Sequence, residues 1–272
     1  MQSTYLFTPA LKINSLINFN GWQYLDALVI DFEDSIHYTC KEEAREFISS
    51  YNFNNIPCKN IGLRINSIAT IDGIRDLLWL YETKHKLFFK MLFVPKIKNH
   101  NELMLLKSII REYDIQIKII SIIEDVDAIN DLDNIAKNSD ALILGQADLV
   151  ANLYAANFSY ISHARSMITL YAAKYNIPVI DTNSFEMDDM DKFRAECINS
   201  KNEGFIAKAA IHPKQISIIK EVFAITQDEI DEYHCIIDEY NNSRNGLIIK
   251  NGLIIAPPFV AKAKKILKLL TS

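Results

Sequence analysis

Glycine is the most marked shortage: the chain has 7 in 272 residues, against an average usage of about 7%. No GxGxxG or Walker-type loop is present, which excludes the phosphate cradles built on those glycines. The four cysteines (Cys40, Cys58, Cys197, Cys235) form no CxxC pair. They read as free thiols, not as a zinc ribbon or redox couple. The six histidines fall at no ligand spacing, which argues against zinc. No apolar run reaches the roughly 18 residues of a membrane span. The opening MQSTYLFTPA lacks the charged-then-apolar layout of a secretory signal. We therefore expect a cytoplasmic protein with no membrane partner. With 29 Lys+Arg against 34 Asp+Glu, the net charge of −5 leaves no basic surface for nucleic acid.

What remains is a core-forming chain, 49% hydrophobic and 23% charged. Eight short apolar segments read as strands: 5–8, 27–30, 60–63, 91–94, 117–123, 141–144, 178–180 and 207–211. They do not alternate with polar residues, as expected of parallel strands covered on both faces. Segments 42–50, 74–81, 102–111, 129–137 and 164–175 carry apolar residues three and four apart and predict helices. Asn101 and Asp188 are placed as helix N-caps, and Gly204 at a helix C-terminus. Successive strands start roughly 29 residues apart, enough for a strand and a crossover helix. The predicted fold is α/β, a (β/α)₈ barrel over residues 1–225. The rival, an open doubly wound sheet, usually carries a glycine-rich first turn, and this chain has none.

Beyond Phe223 the pattern changes. Thr226 caps a helix over 226–240. Segments 247–250 and 253–255, joined by Asn251-Gly252, predict a hairpin. A basic amphipathic helix covers 257–270. Residues 226–272 thus form a helix–hairpin–helix appendage. Its apolar hairpin needs a surface to cover, which predicts a homo-oligomer or packing on its own barrel.

In such a barrel the residues that follow each strand share one rim, where active sites form. Here that rim receives Asp31, Glu33, Asp34, Arg64, Asn66, Lys96, Glu124, Asp125, Gln146, Asp148, Asp181 and His212. Glu124 and Asp148 follow adjacent strands, so their carboxylates can meet on a hard cation such as Mg²⁺, completed by water and substrate oxygens. Arg64 offers a planar fork for a substrate carboxylate; its alternative is an ion pair to Asp31 or Glu33. Lys96 is placed to pair with a substrate anion or with one of these acids. His212 reads as a hydrogen-bonded barrel residue.

These segments resemble the citrate lyase beta-subunit-like branch of the HpcH/HpaI aldolase superfamily, over essentially the whole chain. LFTPA (6–10), VIDFEDS (29–35), KEEAR (41–45), LRINSIATIDGIRDL (63–77), VPKIKN (94–99), IIEDVDAI (122–129), LGQADLVANL (144–153) and GFIAKAAIHPKQI (204–216) follow that branch's motifs in order. The resemblance implies a barrel that binds Mg²⁺ through Glu124 and Asp148, with Arg64 on the carboxylate of an oxo acid. It assigns Glu33 and Asp34 to catalysis, through water or the metal's surroundings. It implies carbon–carbon cleavage of a citryl-, citramalyl- or malyl-thioester (CoA or carrier), and a homo-oligomer, a trimer or a multiple of it. Two positions depart: Ser3-Thr4 stands where many members have Arg-Ser, and Ala256 stands where thioester-handling members have an acid in the tail. Two further readings stay open, a metal-dependent aldolase acting on a free 2-oxo acid and a non-catalytic accessory barrel.

Overall fold

Each of the eight apolar segments forms a strand, and the strands pair in sequence order until the last meets the first. The computed structural model describes residues 2–83, 85, 87–154, 158–250 and 253–271. Its strands are β1 (Thr4–Pro9), β2 (Ala27–Asp31), β3 (Ile61–Arg64), β4 (Phe89–Val94), β5 (Lys118–Ile123), β6 (Ala141–Leu144), β7 (Val179–Asp181) and β8 (Ala207–Ala210). All neighbouring pairs run parallel and the barrel is closed, so the fold is the expected (β/α)₈ barrel. Around it lie α1 (Lys41–Ser50), α2 (Ile71–Glu82), α3 (His100–Glu112), α4 (Val126–Asn130), α5 (Leu132–Lys137), α6 (Gln146–Ala151), α7 (Phe158–Tyr175), α8 (Met190–Asn202) and α9 (Ile216–Phe223). The first crossover differs from the rest. After β1 the chain makes 3₁₀ turns at Ala10–Leu16 and Trp22–Tyr24.

The absence of polar alternation has a direct cause. Alternate residues of every strand but β3 join two different apolar clusters. Tyr5, Val29, Met91, Phe93, Ile120, Ile122 and Ile143 fill the barrel interior, with Ala27, Ala141, Ala207 and Ala209 making room for the larger rings. Leu6, Leu28, Ile30, Leu63, Leu92, Val94, Ile123 and Leu144 face outward and pack under the helices. Both faces are dry, so the period-two signal vanishes from the sequence.

Several local expectations shift. Asn99, not Asn101, caps α3, its side chain accepting from the Asn101 N–H. Asp189, not Asp188, caps α8. The helix expected over 129–137 is two short helices divided at Asp131. That carboxylate accepts from the N–H and Nδ1 of His100, both at 2.7 Å, and so ties α4 and α5 to α3. Gly204 follows α8 at φ +98°, a conformation open to glycine at low cost.

The chain divides into two compact units, Gln2–Phe223 and a C-terminal unit beginning at Ala224. In the second, α10 (Gln227–Asn242) starts with a capping box between Thr226 and Glu229. β9 (Ile248–Lys250) and β10 (Leu253–Ile255) pair antiparallel, with Lys250 opposite Leu253. The predicted Asn251-Gly252 turn lies outside the described residues. α11 (Pro257–Thr271) closes the unit. Ile236, Ile255, Val260 and Ala263 form its small core, while Leu247, Ile249 and Ile254 are exposed. Among the described residues, no helix is long and apolar enough to cross a membrane.

Candidate active site

The rim expected to carry the chemistry is built outward from a buried ion pair. Asp31, the last residue of β2, lies opposite Arg64, the last residue of β3, in the parallel register. The two side chains meet bidentately, Nε to Oδ1 and Nη2 to Oδ2, both at 2.6 Å. The guanidinium fork is therefore spent on Asp31. This corrects the expectation that the fork lies open for a substrate carboxylate. The third nitrogen, Nη1, stands 3.2 Å from Glu33 Oε2, and the guanidinium lies over the Phe7 ring at 5.4 Å. Burial pushes the Asp31 carboxyl up, but Arg64 and the hydrogen bonds from Ser35 and Glu33 hold it below the usual range. Those acids keep the guanidinium charged throughout.

Lys96 joins this cluster to the next strand. It follows β4 at φ 55°, a left-handed conformation that costs a non-glycine residue energy. That turn aims its N–H at Glu124 Oε1, 2.7 Å away. Its ammonium sits 2.6 Å from Glu33 Oε1 and 3.1 Å from Asp34 Oδ1. Glu33 is thus flanked by two cations, yet neither of its buried oxygens is in hydrogen-bond geometry. Burial outweighs Arg64 and Lys96 there and leaves its pKa raised. Lys41 supports the same turn from behind, donating to the carbonyls of Phe32 and Glu33 at 2.8 Å each.

Glu124 and Asp148 face one small cavity together with Arg64, at the end of the barrel interior; its volume is about 70 Å³. Glu124 follows β5 and is 4% exposed. Asp148 lies in the first turn of α6, after β6. Asn152 links the two backbones, donating to the Glu124 carbonyl at 3.3 Å and the Asp148 carbonyl at 2.8 Å. Gly145 stands between them, and a Cβ there would overlap the Glu124 carboxylate. Burial, then the charges of Glu33 and Asp148, push Glu124 up to about 8.

The donor set fits a divalent cation. Among the described residues, neither Glu124 nor Asp148 has a side-chain cation in ion-pair range. The charge of Asp148 helps raise the proton affinity of Glu124, and a metal between them would reverse that. Among the described residues, no group of three or more His, Cys, Asp and Glu is arranged to hold a metal. A cation here would take two protein ligands, with water and substrate oxygens completing the shell, which is the habit of Mg²⁺.

The predicted site residues are therefore distributed as follows. Arg64, Glu124 and Asp148 line one cavity. Glu33, Asp34 and Lys96 form the ion-pair cluster beside it and do not line it. Asp181 is taken up elsewhere, held by Lys208 at 2.5 Å, Arg165 at 2.7 Å and Ser200 at 2.5 Å. Asp125 caps α4, and His212 caps a 3₁₀ turn through Nδ1, accepting from Lys214. Asn66 is scaffolding: its N–H and Nδ2 donate to Asp76 at 2.7 Å each, and Arg45 Nη1 pairs with the same carboxylate at 2.6 Å. The roles of Lys41, Arg45, Asp76 and Gly145 were not assigned from the sequence, and Asp31 entered only as one alternative partner of Arg64. KEEAR and the DL that ends 63–77 were the available signals.

A family model described as HpcH/HpaI aldolase/citrate lyase matches residues 3–213. The chain belongs to the HpcH/HpaI aldolase/citrate lyase family. RipC from Yersinia pestis is 32% identical, with a TM-score of 0.72 over 85% of this chain and 98% of that one. The protein CitE from Mycobacterium tuberculosis, solved in complex with magnesium, acetoacetate and coenzyme A, is 19% identical. It shares the fold at a TM-score of 0.77 over 100% and 98% of the two chains. The citrate lyase subunit beta of Leuconostoc mesenteroides subsp. cremoris is 22% identical over 99% of this chain and 93% of its own. The family thus contains lyases similar to this chain along its whole length.

Proposed function

We propose that the protein is a Mg²⁺-dependent carbon–carbon lyase that cleaves a citryl-, citramalyl- or malyl-type thioester and releases a 2-oxo acid. The observation that carries this is the meeting of two unneutralised carboxylates, Glu124 and Asp148, with the Arg64 guanidinium in one small cavity. The magnesium and coenzyme A bound by CitE agree with this cofactor and this substrate class. A bound Mg²⁺ would polarise the 2-oxygen of the oxo acid half as the carbon–carbon bond breaks.

The chain's own residues do the rest. Arg64, locked by Asp31, presents Nη1 and its charge to the carboxylate end of the oxo acid. Glu33 holds Arg64 and Lys96 in place by charge. Asp34 is half exposed and 3.1 Å from Lys96 Nζ. Lying outside the cavity, it would act through water ordered beside Lys96. The Lys96 N–H fixes one oxygen of Glu124 and leaves the other side of that carboxylate for the cation. Ala256 stands where the resemblance puts an acid in thioester-handling members, so we expect cleavage without appreciable thioester hydrolysis. The exposed apolar residues of the C-terminal hairpin support a homo-oligomer; a trimer or a multiple of it is what the family resemblance implies, and sedimentation at micromolar concentration would test it. The deciding experiment is cleavage of citryl-, citramalyl- and malyl-CoA with and without Mg²⁺. Turnover in excess EDTA, or none on any of the three with Mg²⁺, would overturn the reading.

A further inference from the structure

The three kinds of side chain around the cavity lie on three different sides of the barrel. Arg64 ends β3. Glu124 and Asp148 follow β5 and β6. The β8–β1 side, where Leu6 pairs with Ala210, is apolar and presents Phe7, Ala209 and Ile211. Phe7 is held there edge-on against Phe93, with ring centroids 5.2 Å apart. Arg64 is the only cation among the described residues that line the cavity. Two other cations carried by neighbouring parts of the barrel are committed elsewhere, Lys96 to Glu33 at 2.6 Å and Lys208 to Asp181 at 2.5 Å.

A 2-oxo acid seated with its carboxylate toward Arg64 and its 2-oxygen toward the two acids must point its third carbon at the remaining side. That side can bury a methyl group, whereas a second carboxylate would meet hydrocarbon, because the one cation near it, Arg64 over the Phe7 ring, is already engaged by the first carboxylate, Asp31 and Glu33. The neutral amides of Gln146 and Asn183 follow β6 and β7. They line the same cavity and carry no charge that would neutralise a second carboxylate. We infer that the oxo acid half is a monocarboxylate with a short apolar tail, of the pyruvate type, and not a dicarboxylate of the oxaloacetate type. This rests on the lyase reading above and narrows it to one substrate class. Phe7, Ala209 and Ile211 are its specificity residues.

Titration calorimetry of the full-length protein at fixed, saturating Mg²⁺ tests this, with pyruvate and freshly dissolved oxaloacetate as probes. Pyruvate is expected to bind at least about tenfold more tightly, a difference of about 1.4 kcal/mol. Ile211→Arg, at a partly exposed position, places a cation on the apolar side and is expected to reduce or invert that ratio. Circular dichroism would check that the variant is folded. Oxaloacetate binding as tightly as pyruvate to the wild type would overturn the inference and leave the lyase reading standing. Binding of neither acid would overturn both.

Discussion

The backbone N–H of Lys96 and the carboxylate of Glu124 are 2.7 Å apart, and they meet because Lys96 adopts φ 55°. One residue thus fixes a cavity-lining acid with its main chain and two other acids with its side chain.

Lys96→Gly and Lys96→Ala separate these contributions. Both remove the ammonium from Glu33, but glycine relieves the left-handed backbone while alanine keeps its cost. Glycine is expected to be the more stable of the two by about 1 kcal/mol in urea unfolding. Equal stability would show that the backbone conformation stores no energy.

Arg64→Lys keeps the charge and loses the bidentate grip on Asp31. A single ammonium cannot serve Asp31, Glu33 and the cavity together. A stability loss of about 1–3 kcal/mol is expected, together with weaker binding of the oxo acid. Weaker binding at unchanged stability would mean that the pair with Asp31 is dispensable to the fold.

Glu124→Gln and Asp148→Asn each remove one charge from the cation position. The rise in melting temperature caused by Mg²⁺ in the wild type should disappear in both. Persistence of that rise in the double variant would place the metal elsewhere.

The Glu124 shift makes stability depend on pH, with a definite sign. Its folded pKa is raised from 4.5 to about 8, so the metal-free native state keeps a proton that the unfolded chain has lost. That contribution is complete below about pH 4.5 and declines as pH rises toward 8. In EDTA, wild-type stability measured against Glu124→Gln should therefore fall across this window, and Mg²⁺ should restore it at pH 8. A difference between the two proteins that stays constant with pH would remove the proton from the account.

Gly145→Ala tests the close approach of the chain to Glu124. The added methyl has to displace that carboxylate, which predicts a loss of Mg²⁺ response. The overpacking cost is about 1–3 kcal/mol. An unaltered Mg²⁺ response would show that the loop yields instead.

The strands were legible because they are short, apolar and evenly spaced. The ring of titratable residues followed from their ends. Other features were illegible for physical reasons. α8 was bracketed by the caps placed at Asp188 and Gly204 but gave no periodic signal, because it buries only Phe193, Cys197 and Ser200 along its inner face. The break at Asp131 comes from a bond to His100 on another helix, which no local pattern encodes. Among Asp31, Glu33 and Asp34, the partner of the Arg64 fork depended on strand register. The ion pair with Asp31 was visible only as one alternative for Arg64.

Phe7 and Phe93, with Tyr5 6.1 Å from Phe93, plug the barrel interior next to the cavity. A pocket stoppered on that side would empty toward the rim. Under the proposed reaction the fragment lodged deeper, the oxo acid, cannot depart until the outer fragment has cleared the entrance. Release is then sequential, and inhibition patterns should show it: the oxo acid competes with the substrate for the empty enzyme, whereas the thioester product does not.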